Sequence, residues 1–305
     1  MKKILIITAV IISIPFFVVI VFNHDKKVKE ISLDYVSNIV VRVKRSSGSI
    51  DNVFLEDYVV GVIAGEMPVS FHEEALKAQA VASRSYVLRR IGNNNDYDVV
   101  DTVSNQVYID NDELKREWGN RYIEYINKIR KVVNDTSMEY LEYNGEVIDA
   151  MFFSTSNGYT EDAEVVFYED LPYLRSVESI YDKDVSPVFY NTSTMSLQEF
   201  YERLGLVYNK YLKIDIIDKS SSGRIIRLKI NGKEFLGRDL YNKLGLRSCD
   251  FSIELVGDNI NIKTKGYGHG VGLSQYGALG MAMKGYSYRD ILKHYYVGTN
   301  IKKLK

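Results

Sequence analysis

The chain has 305 residues, of which 46% are apolar and 26% charged, so it is long enough for a substantial core and too apolar to be disordered. A formal net charge of −1, acidic once the first thirty residues are set aside, argues against a protein that coats nucleic acid or another polyanion. The single cysteine, Cys249, rules out an internal disulfide and any site built on a cysteine pair.

Taken in chain order, the first element is "ILIITAVIISIPFFVVIVF", residues 4–22, which follows Lys2 and Lys3 and contains no charge. Nineteen uncharged, mostly apolar residues just span a bilayer. The run ends in Val-Phe-Asn-His-Asp and not in the small residues that precede a signal-peptide cleavage site. Residues 1–23 are therefore expected to be an uncleaved transmembrane helix, 24–36 a charged stalk, and 37–305 an exported domain.

"NIVVRVKR" alternates and reads as a strand. "LEDYVVGVIAGEM" reads as a helix stopped by Pro68, because the residue before a proline avoids the helical region. Tyr58, Val59, Val62 and Ile63 share one face of it, and Glu66 falls on that same apolar side. A carboxyl held against apolar walls keeps its proton to higher pH and can act as an acid near neutrality. The alternative is a solvated Glu at a frayed helix end. Gly61 and Gly65 are poor helix residues, which points to a close approach by another chain segment or a ligand.

"FHEEALKAQAVASRSYVLRRI" is a second helix, whose Ala75, Ala78, Ala82 and Ser83 form a small-residue face. "YDVVDT" reads as a strand, and "ELKREWGNRYIEYINKIRKVV" as one long amphipathic helix. Hairpins follow around Asn144-Gly145, Asn231-Gly232 and, more weakly, Asp258-Asn259. "SQYGALGMAMKGYSYRDILKHYY" reads as two short helices. The fold class expected is α+β, mixed helices and antiparallel hairpins around a substrate cleft, with residues 160–210 read as an insertion or second subdomain.

Three further stretches carry candidate chemistry. In "GYGHGVGLSQYGA", Gly266, Gly268, Gly270 and Gly272 recur at every second position, as in a strand with one bare face open to a flat ligand or polymer. The rival reading is a glycine corner packed on a neighbouring strand, with His269 incidental. Neither a phosphate loop nor a dinucleotide fingerprint fits the spacing. "DTVSNQVY" places Asp101, Gln106 and Tyr108 after a strand, and "FFSTSNGYT" ends in hydroxyls, Ser154 and Thr155 among them, that suit either sugar contacts or turns. The four histidines are too scattered for a helical metal pair, and no nucleophilic serine elbow is present.

Together, "EDYVVGVIAGEMPVSFHEEALKAQAVASRSYVLRR", "DTVSNQVY", "FFSTSNGYTEDA" and "YGHGVGLSQYGALGMAMKGYSYRDILKHYY" resemble the stage II sporulation protein D family, membrane-anchored lytic transglycosylases of endospore-forming bacteria. The resemblance covers roughly residues 37–300. It implies cleavage of peptidoglycan glycan strands already stripped of stem peptides, with anhydromuramic ends as product and Glu66 as the catalytic acid. It also implies substrate contacts from His269, Gln275, Tyr276, Ser154, Thr155, Gln106, Tyr108 and Arg84. The setting implied is forespore engulfment, between the mother-cell and forespore membranes, with stage II sporulation proteins P, an amidase, and M, a scaffold, as partners. Some members bind zinc through a His and a Cys in the F-x-S-T-x-G stretch. This chain has Phe153 and Ser156 there, so no metal or other cofactor is expected. Relatives with the same domain enhance an amidase, which leaves a non-catalytic glycan-binding role as one alternative. A two-carboxylate hydrolase with Asp101 as partner is the other.

Overall fold

A computed structural model describes residues 29–34, 37–94 and 96–304. The expected membrane anchor lies outside these residues, and among those described no helix is long and apolar enough to cross a membrane. The fold is mixed α+β, with mostly antiparallel sheets of two or three strands.

The first lobe is organised around a buried helix. Strands β1 (Val40–Lys44) and β2 (Ile50–Phe54) form a hairpin, and β3 (Val99–Val100) pairs parallel to β1. Helix α1 (Leu55–Glu66) starts directly from β2, and α2 (Glu73–Leu88) follows after a short turn. Ala75, Ala78, Ala82 and Ser83 of α2 are fully buried. Their small size lets four helices press on α2: α1, α4 (Tyr122–Asp135), α9 (Gln275–Met283) and α10 (Tyr288–Tyr295). The expected long helix over 113–133 is broken instead into α3 (Asn111–Trp118), a 3-10 turn (Gly119–Arg121) and α4. Gly119 has φ +49°, which bends the chain between α3 and α4.

Strand β4 (Glu139–Tyr143) turns into β5 (Glu146–Val147) through Asn144 and Gly145, both at positive φ as a two-residue I′ turn requires. Strand β14 (Asn300–Lys303) adds to β4 from the far end of the chain. Strand β6 (Phe152–Phe153) pairs parallel with β13 (Leu273–Ser274), the step that leads into α9. Short helices α5 (Ala163–Phe167) and α6 (Asp182–Val185) lie in the intervening segment.

A second hydrophobic core gathers residues from Leu197 to Ile262 and is separate from the first-lobe cores. It is built by β7 (Tyr190–Ser196), α7 (Leu197–Leu204), the β8–β9–β10 sheet (Ile214–Lys219, Ile225–Ile230, Lys233–Leu236), α8 (Gly237–Leu244) and the hairpin β11–β12 (Phe251–Val256, Asn259–Lys265). This core takes in the end of the 160–210 stretch and extends beyond it to Ile262. The β9–β10 turn uses Asn231 and Gly232 as expected, whereas β11–β12 turns at Gly257-Asp258, one residue earlier than the sequence reading, with Gly257 at φ +60°.

Candidate active site

Glu66 is the last residue of α1, and the path to its surroundings starts with two glycines. A Cβ on Gly61 would lie 2.4 Å from the Tyr108 ring, and one on Gly65 would lie 2.7 Å from the Val107 carbonyl oxygen. The missing side chains let residues 106–109 lie flat on α1, where the Ile109 N–H donates to the Gly61 carbonyl at 3.3 Å. The close approach inferred from these glycines is therefore made by the chain's own segment. It delivers the Val107 N–H to Glu66 Oε1 at 2.7 Å. Tyr108 stacks on Tyr58 with ring centroids 5.4 Å apart, and the Tyr58 hydroxyl donates to Gln106 Oε1 at 3.0 Å.

Burial raises the pKa of Glu66 above its ordinary value, opposed by the Val107 N–H and by the Gln275 amide. No charged group is among the causes of that shift. Placement at a helix C-terminus, the negative end of the helix dipole, also disfavours an anion. Gln275 opens α9, and the Ser274 hydroxyl caps that helix by accepting from the Gly277 N–H at 3.3 Å. The Gln275 Nε2 is buried without a hydrogen bond of good geometry, so the amide lies beside the carboxyl without being saturated by it. Next along α9, Tyr276 meets Phe71 edge to face at 5.0 Å, which seats the start of α9 on the turn that follows Glu66. Lys128 holds that turn from below, donating to the carbonyls of Val69 (2.6 Å) and Phe71 (2.7 Å).

The remaining expected site residues fall elsewhere. Arg84 is fully buried and bidentate to Glu56 at 2.7 and 2.8 Å, with a further bond to the Glu139 carbonyl at 2.8 Å. It joins α1, α2 and β4 and has no face for a substrate. His269 uses both ring nitrogens on backbone: Nε2 donates to the Phe152 carbonyl at 3.0 Å and Nδ1 accepts from the Val271 N–H at 3.1 Å. Burial lowers its pKa to about 4, so it is a neutral packing residue against Phe153 and Phe167.

The glycine stretch is not a bare-faced strand. Gly266, Gly268, Gly270 and Gly272 all have φ between +79° and +110°, and a Cβ on Gly272 would meet the Met151 carbonyl at 2.0 Å. It is a glycine corner, the rival reading of the sequence: Gly266, Gly268 and Gly272 pack on residues 151–157 and Gly270 on the Arg224 guanidinium. Thr155 is buried, its backbone paired with Tyr267 and its hydroxyl 2.8 Å from Ser186, whereas Ser154 is half-buried and its carbonyl accepts from the Tyr276 N–H at 3.0 Å. Gln106 and Tyr108 belong to the crossing segment and are buried within it. Asp101 is committed to the Ser46 hydroxyl (2.8 Å) and Arg45 (3.4 Å). Among the described residues, no three of His, Cys, Asp and Glu converge as metal ligands.

Of the expected contacts, Gln275, Tyr276 and Ser154 come together beside the turn that carries Glu66. The sequence reading missed the Val107 N–H, Phe71 and Lys128. Gly61 and Gly65 signal that a main chain crosses α1, but not which one.

A family model described as Stage II sporulation protein matches residues 44–143. Stage II sporulation protein D of Bacillus subtilis is 40% identical over 97% of this chain and 93% of its own length. The chain belongs to the stage II sporulation protein D family. The Bacillus amyloliquefaciens member is 45% identical over 87% of this chain and 79% of its own. An amidase enhancer of B. subtilis is 30% identical over 79% of this chain but only 40% of its own length.

Proposed function

We propose that this sporulation-family protein is a peptidoglycan lytic transglycosylase in which Glu66 is the catalytic acid and base. The observation that carries the reading is the carboxyl itself: half-buried, raised in pKa by burial, held by one backbone N–H and without a charged neighbour among the causes of its shift. Such a group rests protonated to higher pH than an ordinary glutamic acid. It gives its proton to the glycosidic oxygen as the bond to the anomeric carbon breaks. The resulting carboxylate then takes a proton from the muramic sugar's primary hydroxyl as that oxygen closes onto the anomeric carbon. The glycan is split, an anhydro end forms, no water is consumed, and Glu66 is restored. The Val107 N–H and the Gln275 amide steady the transient carboxylate.

A single carboxyl suits this chemistry, whereas hydrolysis of the common type calls for two. Asp101, the candidate partner, is tied to Ser46 and Arg45. The physiological reading is that the enzyme acts on strands stripped by stage II sporulation protein P, with protein M as a scaffold, at the forespore during engulfment.

The test is product mass after incubation with peptide-free glycan. Wild type yields anhydro ends without added water, and Glu66→Gln, nearly isosteric, yields none while remaining folded. Wild-type turnover by that variant sinks the proposal. The name of one relative favours a second reading, a glycan-binding enhancer of an amidase. It predicts no product without the amidase, and undiminished enhancement by Glu66→Gln.

A further inference from the structure

Residues 29–34 read in sequence as part of a charged stalk, and they lie along α4 on side chains spaced to receive them. Asn127, Arg130 and Asn134 follow one another at three and four residues, so they line one face of the helix. Asn127 Oδ1 accepts from the Ile31 N–H at 2.7 Å while its Nδ2 donates to the Lys29 carbonyl at 3.0 Å. Asn134 repeats the pattern three residues on: Oδ1 accepts from the Asp34 N–H at 2.9 Å and Nδ2 donates to the Ser32 carbonyl at 3.1 Å. Between them Arg130 donates to the Ile31 carbonyl at 2.8 Å and pairs with Glu30 at 2.6 Å, and the Tyr122 hydroxyl donates to the Glu30 carboxylate at 3.0 Å. Leu33 packs against the main core.

Each asparagine thus grips the carbonyl of one residue and the N–H of the residue two further on. A neighbouring β-strand offers an extended chain the same alternation of donor and acceptor. Because the ladder bonds main-chain groups, it recognises extended backbone more than side chains. We infer that this face of α4 is a binding site for an extended peptide main chain, and that its occupant is the chain's own segment 29–34. The consequence is a short leash. Only Asn23 to Val28 separate the end of the apolar run from the clipped segment, and six residues reach at most about 20 Å however they are arranged. If residues 4–22 are anchored in a bilayer, the domain is confined to glycan lying directly over it. The clip itself rests neither on that anchor nor on the transglycosylase reading.

The test is hydrogen–deuterium exchange on the full chain in phosphatidylglycerol–phosphatidylcholine nanodiscs, comparing wild type with the double variant Asn127→Ala, Asn134→Ala. In wild type the amides of Ile31 and Asp34 exchange about ten-fold or more slowly than in an unstructured peptide. In the variant they exchange about ten-fold or more faster than in wild type, because each loses its acceptor, while the amides within α4 and α2 keep their protection. Unstructured exchange at Ile31 and Asp34 in wild type, or the same slow exchange in the double variant, overturns the inference. Loss of anhydro product with the clip intact would bear on Glu66 alone.

Discussion

Helix α1 carries a glutamate at each end, one buried and one half-buried, and the two have opposite surroundings. In the first turn Glu56 is almost completely buried and meets a guanidinium in a bidentate pair, with the Met138 N–H donating to it at 3.3 Å. In the last turn Glu66 meets one backbone N–H and an unsaturated amide, with no charged group among the causes of its shift. The first arrangement joins three elements and engages both carboxylate oxygens. The second leaves a carboxyl for which gaining and losing a proton are both feasible. Burial of an acid is therefore not by itself a sign of chemistry. What distinguishes the two ends is whether a cation accompanies the acid.

The comparison can be broken at its structural end first. Arg84→Ala would strand Glu56 in the core at a cost of about 3–5 kcal/mol, and a denaturation midpoint close to wild type would show that the pair is dispensable. Gly65→Ala attacks the other end. Its Cβ would press on Val107, so residues 106–109 must shift; about 1–3 kcal/mol of stability and most of the activity should go together, and a stable, fully active variant would contradict the role given to the crossing segment.

Gln275→Leu removes the amide that favours the Glu66 carboxylate. Turnover should fall about ten-fold, and the alkaline limb of the pH–rate profile should move to higher pH, since the proton is held more tightly. A fall in rate with an unmoved limb would make Gln275 merely structural. The smallest effect is on stability. Glu66 has a folded pKa above its unfolded value of about 4.5, so the cost of ionising it grows as pH rises through that value towards the folded one. Glu66→Gln should therefore melt roughly 1–3 °C higher than wild type near pH 8, with the difference vanishing below about pH 4. A lower melting point at pH 8 would reverse the sign of the argument.

Much of the first lobe was legible because its signals are local. The Asn144-Gly145 turn fixes its hairpin through positive φ, Pro68 ends α1, and the alanine face of α2 foretells close helix packing. Glu66 stood out because its place on the apolar face of α1 needs only helical periodicity. The packing partners of Arg84 and His269 were not legible, because a polar residue in a matched motif looks the same whether it touches a ligand or satisfies a partner distant in sequence. Glu56 lies 28 residues from Arg84, and Phe152 lies 117 from His269. The glycine corner was ambiguous for a related reason: alternate glycines report close approach but not its author. The extent of the second lobe depends on which strands pair, as in β7 with β12, and no local pattern announces that.

The charge of one side chain, Glu66, decides the mechanism, and it can be observed directly. Carbon-13 NMR of the glutamate side-chain carboxyls, with Glu66 assigned by its loss in Glu66→Gln, gives its titration midpoint in the resting protein. A midpoint clearly above the ordinary 4.5 is predicted, moving further up in Gln275→Leu. A midpoint at or below 4.5 would mean that Glu66 is an ordinary carboxylate, and the acid assigned to it would have to be sought elsewhere.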